Sequence, residues 1–209
     1  EARDLAKEMG ETTNRSISVG FQVLWSDKLL RTITIAVLII AAVYLPTETV
    51  VLSTYFEDLG KPASLGIVIS ALAAGSAIGS FGYGWISARL SRKNLVRATL
   101  IGTAISIIPM AFLPPLPILI VAGFFLGLSW GPFNPLVSTL IQQRVAADQQ
   151  GRVFGVQTAV FYAAPPLGMV AAGLSVERYG VSATYIVLAA ILSATALLAL
   201  LTKSLRSDF

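Results

Sequence analysis

Six long apolar stretches, separated by short polar turns, occupy most of residues 30–203 and constrain the fold more than any other feature. A helix needs about 20 consecutive apolar residues to cross the hydrocarbon core of a bilayer, and each stretch is near or above that length. The stretches cover residues 30–54, 63–88, 95–113, 117–141, 153–174 and 181–201. The sequence therefore predicts an all-α membrane protein with six transmembrane helices, embedded in a lipid bilayer.

The positions of the basic residues orient these helices. Thirteen of the fifteen Lys and Arg residues lie near the N-terminus, in alternate turns or in the tail, and only Lys61 and Arg178 lie in the other turns. Lys and Arg accumulate in cytoplasmic loops. We therefore expect both termini to be cytoplasmic, with a linker at 1–29, a membrane bundle at 30–203 and a tail at 204–209.

The composition excludes several classes of protein. The chain is 55% hydrophobic and 12% charged, with a mean hydropathy of +0.76, so it is not an ordinary soluble domain. Cytoplasmic turns account for its basic isoelectric point, and we expect no nucleic-acid partner. Because the chain contains no Cys and no His, it cannot form Ser-His-Asp, Cys-His or HExxH sites. We predict neither an enzyme nor a metal site or cofactor.

The N-terminal residues suggest two further features. Residues 1–14 are polar and carry neither an initiator Met nor a signal peptide, so we expect them to belong to a longer polypeptide. Ile17, Phe21, Leu24 and Trp25 then recur at helical spacing, which predicts a short amphipathic helix at the cytoplasmic interface. The alternative is that these residues only extend the first transmembrane helix.

An internal repeat relates the two halves of the chain. A shift of 89 residues places Pro46 on Pro135, Gly79 on Gly168, Gly84 on Gly173, and Arg89 on Arg178. Three spans separate equivalent positions, and an odd number of crossings reverses the orientation. The pattern predicts an inverted 3+3 repeat, an architecture of secondary transporters. Chance matching between glycine-rich helices is the alternative.

Residues 84–93, in the turn after the second span, contain a recognisable motif. They resemble the loop signature of the major facilitator superfamily (MFS), a Gly followed by Asp-Arg, a second Gly and a basic pair. The matching positions are Gly84, Arg89, Arg92 and Lys93. Ala88 replaces the usual Asp and Ser91 the usual second Gly, so the charge relay of this loop is incomplete. The resemblance implies a gating loop, whereas the basic residues alone could simply anchor the cytoplasmic side.

Other segments resemble the same superfamily in the same order. Residues 20–25 resemble the linker before the seventh span of its macrolide and siderophore exporters. Residues 150–155 resemble the turn between spans ten and eleven, and residues 166–173 resemble span eleven. The resemblance implies the C-terminal six-helix half (spans seven to twelve) of a drug or siderophore exporter in a bacterial plasma membrane.

This resemblance implies a mechanism and partners as well. The chain would be half of a secondary active transporter that works by alternating access, is coupled to protons and exports amphipathic small molecules. Its partner would be an N-terminal six-helix half or a second copy. The alternative is a self-contained six-span protein that homodimerises or serves as a non-transporting scaffold.

The fourth span is the most irregular. Glycines at 123, 127 and 131 form a stripe that lets another helix approach closely. Pro132 and Pro135 then interrupt the helical hydrogen bonds, because proline has no amide hydrogen. We expect this helix to bend within residues 131–135 and to place Trp130 and Asn134 near a substrate cavity. A packing kink without substrate contact is the alternative.

Glu48 is the only acidic residue well inside a span, and it follows Pro46 by two positions. Because a carboxyl group at membrane depth is costly, it usually faces a cavity or a partner, so we predict a role in substrate binding or proton coupling. The alternative is that Pro46 bends the helix and brings Glu48 to the outer interface. Gln157 and Tyr162 in the fifth span are weaker candidates for polar contacts in the cavity.

Overall fold

Helices form nearly all of the described part of this chain. The structure is a computed structural model that describes residues 18–201, apart from the side chains of Arg92 and Lys93. The predicted linker 1–14, Ile17 and the tail 204–209 lie outside the described residues. The helices are α1 (18–26), α2 (Lys28–Pro46), a π-helical segment (Thr47–Leu52), α3 (Ser53–Asp58), α4 (Pro62–Ser87), α5 (Arg92–Ala111), α6 (Leu116–Trp130), α7 (Phe133–Arg144), α8 (Ala147–Tyr179) and α9 (Val181–Leu201).

These helices make six spans that are long and apolar enough to cross a membrane. The first span comprises α2, the π segment and α3, the fourth comprises α6 and α7, and the second, third, fifth and sixth are α4, α5, α8 and α9. The fifth span reaches from Ala147 to Tyr179, beyond the apolar stretch at 153–174, because the helix continues into polar residues at both ends. Pro165 and Pro166 lie inside α8 without ending it.

Local sequence accounts for several helix ends. The side chain of Asp27 accepts hydrogen bonds from the amides of Leu29 and Leu30 and so caps α2, and the hydroxyl of Ser91 caps α5 in the same way. Pro62 stands at the start of α4, where its missing amide hydrogen removes no helical bond. A single residue, Gly180, joins α8 to α9 at φ 81° and ψ 166°, a conformation that is nearly restricted to glycine.

The pattern of helix packing supports the predicted repeat. α2 packs on α8 and α9, while α6 packs on α4 and α5, and α5 packs on α9. Exchanging the first three spans for the last three converts the α2–α8 contact into the α6–α4 contact and leaves the α5–α9 contact unchanged. The chain therefore consists of two equivalent three-helix units that exchange their packing partners.

Glycines bring the backbones of α4 and α6 into direct contact. Gly75 and Gly79 of α4 face the carbonyl groups of Phe124 and Leu128. On the fourth span, Gly127 and Gly131 face those of Leu72 and Ser76. Without an exclusion of water to drive association, such close approach stabilises helix pairs in a membrane through van der Waals contact. The predicted glycine stripe of the fourth span therefore packs on a neighbouring helix.

The same packing corrects the register of the repeat. Gly79 lies against Leu128 and Pro132, and its counterpart Gly168 lies against Ala42 and Pro46. Pro46 is thus equivalent to Pro132, rather than to Pro135 as the uninterrupted shift of 89 residues predicts. The first and fourth spans are therefore related by a shift three residues shorter than the one that relates Gly79 to Gly168.

Candidate functional site

The fourth span is interrupted inside the stretch where its two prolines predict a bend. α6 ends at Trp130 and α7 begins at Phe133. Pro135 cannot donate to the carbonyl oxygen of Gly131, but the hydroxyl of Ser80 on α4 does so at 2.7 Å. A neighbouring helix therefore satisfies the carbonyl group that the proline leaves without its helical partner, which removes most of the cost of the break.

Next to this break, α7, α8 and α2 line a cavity of about 200 Å³ that is open on one side. The residues lining it are Val37, Phe133, Asn134, Ser138, Phe154, Gln157, Thr158, Phe161 and Tyr162. Three predicted site residues, Asn134, Gln157 and Tyr162, are thereby brought together from two spans. The lining combines aromatic rings with uncharged amide and hydroxyl groups, which is the usual make-up of a small-molecule site.

Trp130, which the sequence also places near a cavity, is not among the lining residues. Its ring stacks on Phe133, with centroids 4.8 Å apart and planes at 6°, and on Tyr44 of α2, with centroids 5.8 Å apart and planes at 21°. Phe133 is one of the cavity residues. The Trp130 ring therefore lies behind the cavity wall, in contact with the rings of Tyr44 in the first span and Phe133 in the fourth.

Glu48 lies in the π-helical segment directly after Pro46. The wider π turn follows Pro46, which has no amide hydrogen to donate to the carbonyl group of Ala42. Such π segments are frequent at functional sites. The hydroxyls of Thr47 and Thr49 donate to the carbonyl oxygens of Tyr44 and Leu45 at 2.6 and 2.9 Å. These bonds satisfy backbone groups around the distortion, so Glu48 is held on an ordered helix.

The environment of Glu48 consists mainly of two tyrosines. Its carboxyl group interacts electrostatically with the hydroxyls of Tyr44 in the first span and Tyr185 in the sixth. Neither tyrosine is among the site residues predicted from the sequence. Tyr44 carries a local signal, because it precedes Glu48 by four residues and shares its helix face, whereas no local signal points to Tyr185.

Residues 84–93 comprise the last turn of α4, a short connection at 88–91 and the first residues of α5. The guanidinium group of Arg89 lies 3.6 Å from the centre of the Trp85 ring, a cation–π contact at the end of α4. Nothing lies within 4 Å of a Cβ built on Gly84, so that position offers open space. Arg92 and Lys93 begin α5, and their side chains lie outside the described part of the structure.

An ion pair at the same end of the bundle was also missed. Arg144, at the end of the fourth span, contacts the Oδ2 atom of Asp27, which caps the first span, at 3.0 Å. Partial burial raises the pKa of Asp27, but the Leu30 amide and the Arg144 side chain outweigh this effect, so the pKa lies below its ordinary value.

Gln150 donates to the carbonyl oxygens of Gln142 and Val145, both at 3.1 Å. Together with the ion pair, these bonds join the starts of the first and fifth spans to the end of the fourth.

Helix α1 packs on the same end. Leu24 is buried, and Gly20 lies against the backbone of Arg152 in α8. Phe21 and Trp25 are 44% and 40% exposed and stack with their ring centres 4.9 Å apart. The helix thus has one face on the bundle and an aromatic pair on the other, as expected for a segment at a membrane interface.

Two three-helix units with exchanged partners, an interrupted helix and a cavity between spans together define a multi-pass membrane protein of the transporter type. The sequence profile of the Major Facilitator Superfamily matches residues 33–207. The chain belongs to this family, whose members are in general transporters and not enzymes.

Several curated proteins are similar to the chain. It is 36% identical over 190 residues to the multidrug efflux pump Tap of Mycobacterium tuberculosis, covering 91% of this chain and 45% of the relative. It is 34% identical to the multidrug efflux pump Tap of Mycolicibacterium fortuitum, covering 85% and 44%. It is 25% identical to macrolide efflux protein A of Streptococcus pyogenes, covering 80% and 42%. The chain spans less than half the length of each of these relatives, and no solved structure matches it significantly.

Proposed function

We propose that this chain forms the C-terminal half of a proton-coupled exporter of amphipathic small molecules, such as drugs or siderophores. The observation that carries the proposal is the cavity in which Asn134, Gln157 and Tyr162 meet. The names of the similar proteins, which are multidrug and macrolide efflux pumps, support the same substrate class.

The chemistry of the cavity suits such compounds. Phe133, Phe154 and Phe161 offer ring faces to an apolar or aromatic surface, and each aromatic contact tolerates many shapes. The side-chain amides of Asn134 and Gln157 and the hydroxyl of Tyr162 can each donate and accept hydrogen bonds. Because the described lining contains no Asp, Glu, Lys or Arg, recognition would depend on shape and hydrogen bonding and not on the charge of the substrate.

The exposure of the spans suggests where the other half of the transporter binds. Only 17% of the most apolar part of the second and fifth spans is buried, against 33–56% in the other four spans. These two spans are equivalent in the repeat, so they would form one symmetric face. We propose that an N-terminal six-helix half covers this face and rocks against it to expose the cavity alternately to each side.

Energy coupling would use a proton bound at Glu48, with no cofactor. A carboxyl group at membrane depth can change its protonation as its surroundings become wet or dry, which is what alternating access provides. In the proposed orientation both termini face the cytoplasm and the protein lies in the bacterial plasma membrane, so that protons enter as substrate leaves.

Efflux of ethidium from cells that express the complete protein tests this function. Wild type should lower ethidium accumulation in a manner abolished by a protonophore, and Asn134→Leu should restore accumulation. The control is Glu57→Gln, which removes an exposed carboxylate of the first span outside the cavity. Equal accumulation with and without the protein, for ethidium and for a macrolide, would contradict export and favour the non-transporting scaffold.

A further inference from the structure

Three buried polar atoms meet in one place without hydrogen-bond partners. Among residues 18–201, no hydrogen bond of good geometry reaches Oε1 of Glu48 or the hydroxyls of Tyr44 and Tyr185, although both hydroxyls lie close enough to interact with the Glu48 carboxyl group and that of Tyr44 is poised to bond to it. Tyr185 is fully buried and Tyr44 is 8% exposed. Because buried polar groups are almost always paired, three such atoms in one cluster mark a site that is built to change its hydrogen bonds.

Glu48 faces few other titratable groups. The π segment packs on α8 and α9. α9 contributes Tyr185, and α8 contributes the small residue Gly168 at Pro46. The charged residues of α8 are exposed near its two ends: Asp148, Arg152, Glu177 and Arg178. The two tyrosine hydroxyls are therefore the groups that can respond to the charge of Glu48 within the described structure.

The hydrogen-bonding demand of Glu48 depends on its protonation. An ionised carboxylate only accepts hydrogen bonds and can hold both tyrosine hydroxyls, whereas the protonated acid also donates and needs fewer donors. Drawing the Tyr44 hydroxyl toward the carboxylate requires the Tyr44 ring to move. That ring stacks on Trp130, which in turn stacks on Phe133 in the cavity wall.

We propose that Trp130 couples the protonation of Glu48 to the substrate cavity, with Tyr44 and Tyr185 as the hydroxyl donors that read the charge of the carboxyl group. Trp130 is then a positioning residue that touches neither proton nor substrate. The stack spans the two irregular segments of the bundle, the π turn of the first span and the break of the fourth, where the backbone can shift without loss of regular helical bonds.

This inference rests on the proposed function, because coupling has meaning only in a transporter, but it has a readout of its own. The complete protein in lipid nanodiscs is titrated from about pH 5 to about pH 9, the range reached by buried carboxyl groups, while its tryptophan emission is followed. Part of the emission should change with pH. That part should disappear in Trp130→Phe, which identifies the reporter, and in Glu48→Gln, which removes the titrating group.

The tyrosine variants test the mechanism. In Tyr185→Phe the midpoint of the emission change should move to higher pH, because the ionised carboxylate has lost a hydrogen-bond donor. The matched control is Tyr83→Phe. In wild type the Tyr83 hydroxyl, in the second span, donates to the hydroxyl of Thr139 in the fourth. This control variant should leave the midpoint in place. An unchanged midpoint in Tyr185→Phe would overturn the role of that tyrosine.

A binding measurement completes the test. The dissociation constant for ethidium should differ at least about fivefold between the two ends of the titration, and Trp130→Ala should reduce that difference to less than about twofold. A pH dependence that survives in Trp130→Ala would overturn the proposal while leaving export intact. Conversely, a normal emission change in a protein that exports nothing would contradict the proposed function and not the proton-sensing cluster.

Discussion

Replacing Gly127 with alanine tests whether backbone contact between α4 and α6 holds the fourth span in place. A Cβ at this position would collide with the carbonyl group of Leu72 and would lie 2.9 Å from the amide nitrogen of Ser76. Both obstacles are backbone atoms, so no side-chain rotation can relieve them. The two helices must separate, and the contacts along the whole glycine stripe weaken together.

The expected change in the free energy of unfolding results from two opposing effects. Overpacking of a tight contact costs about 1–3 kcal/mol, whereas alanine is a better helix former than glycine by about 1 kcal/mol. Gly173→Ala provides the control, because it lies inside α8 with nothing within 4 Å of the new Cβ, so it gains the helix propensity without a collision. The difference between the two variants should therefore be about 1–3 kcal/mol, or roughly a 5- to 150-fold change in the unfolding equilibrium.

Reversible unfolding of the chain in mixed micelles, titrated with SDS and followed by circular dichroism, measures this difference. Gly127→Ala should unfold at a lower SDS fraction than wild type, and Gly173→Ala at the same or a higher one. If Gly127→Ala is as stable as Gly173→Ala, the close approach of α4 and α6 does not exist in the membrane protein, and the geometry of the break that follows it would lose its support.

Three further predictions concern charge, topology and substrate. Folding lowers the pKa of Asp27 from its ordinary value of 3.8, so the charge of Asp27 stabilises the fold above pH 3.8. This contribution is lost as the pH falls through the pKa of Asp27 in the folded protein. Below about pH 4 the stability of wild type in SDS should therefore drop more steeply than that of Asp27→Asn, and parallel curves would contradict this. In this cysteine-free chain, a cysteine at Ser91 should react with a membrane-impermeant maleimide only from the cytoplasm and one at Ser182 only from outside, and the reverse labelling would overturn the orientation. Asn134→Leu should raise the KM for exported ethidium while the amount of protein in the membrane stays at the wild-type level. Unchanged kinetics for every substrate tested would show that Asn134 does not contact the substrate.

The candidate site was only partly predictable. Asn134 follows the Gly131-Pro132 break, which is visible in the sequence, and Gln157 and Tyr162 lie on one helix. That these three residues meet depends on how α7 and α8 pack, which periodicity does not reveal. Trp130 shows most clearly what the sequence does not reveal. Its position beside the proline break predicts a place at the cavity, but its ring stacks on Phe133, and Phe133 lines the cavity in its place.

The sequence by itself determined that the chain consists of six membrane helices in two related units. It also indicated which helix ends share one side of the membrane. Apolar length, charge position and proline are local properties, which act before any helix contacts another. Only the tertiary structure decided the partners: the displaced equivalence of Pro46 with Pro132, the pairing of Asp27 with Arg144, and the approach of Tyr185 to Glu48. Contacts between distant helices depend on how their surfaces fit, and in an apolar solvent that fit is set by close packing of small residues along whole helices. No single stretch of sequence contains that information.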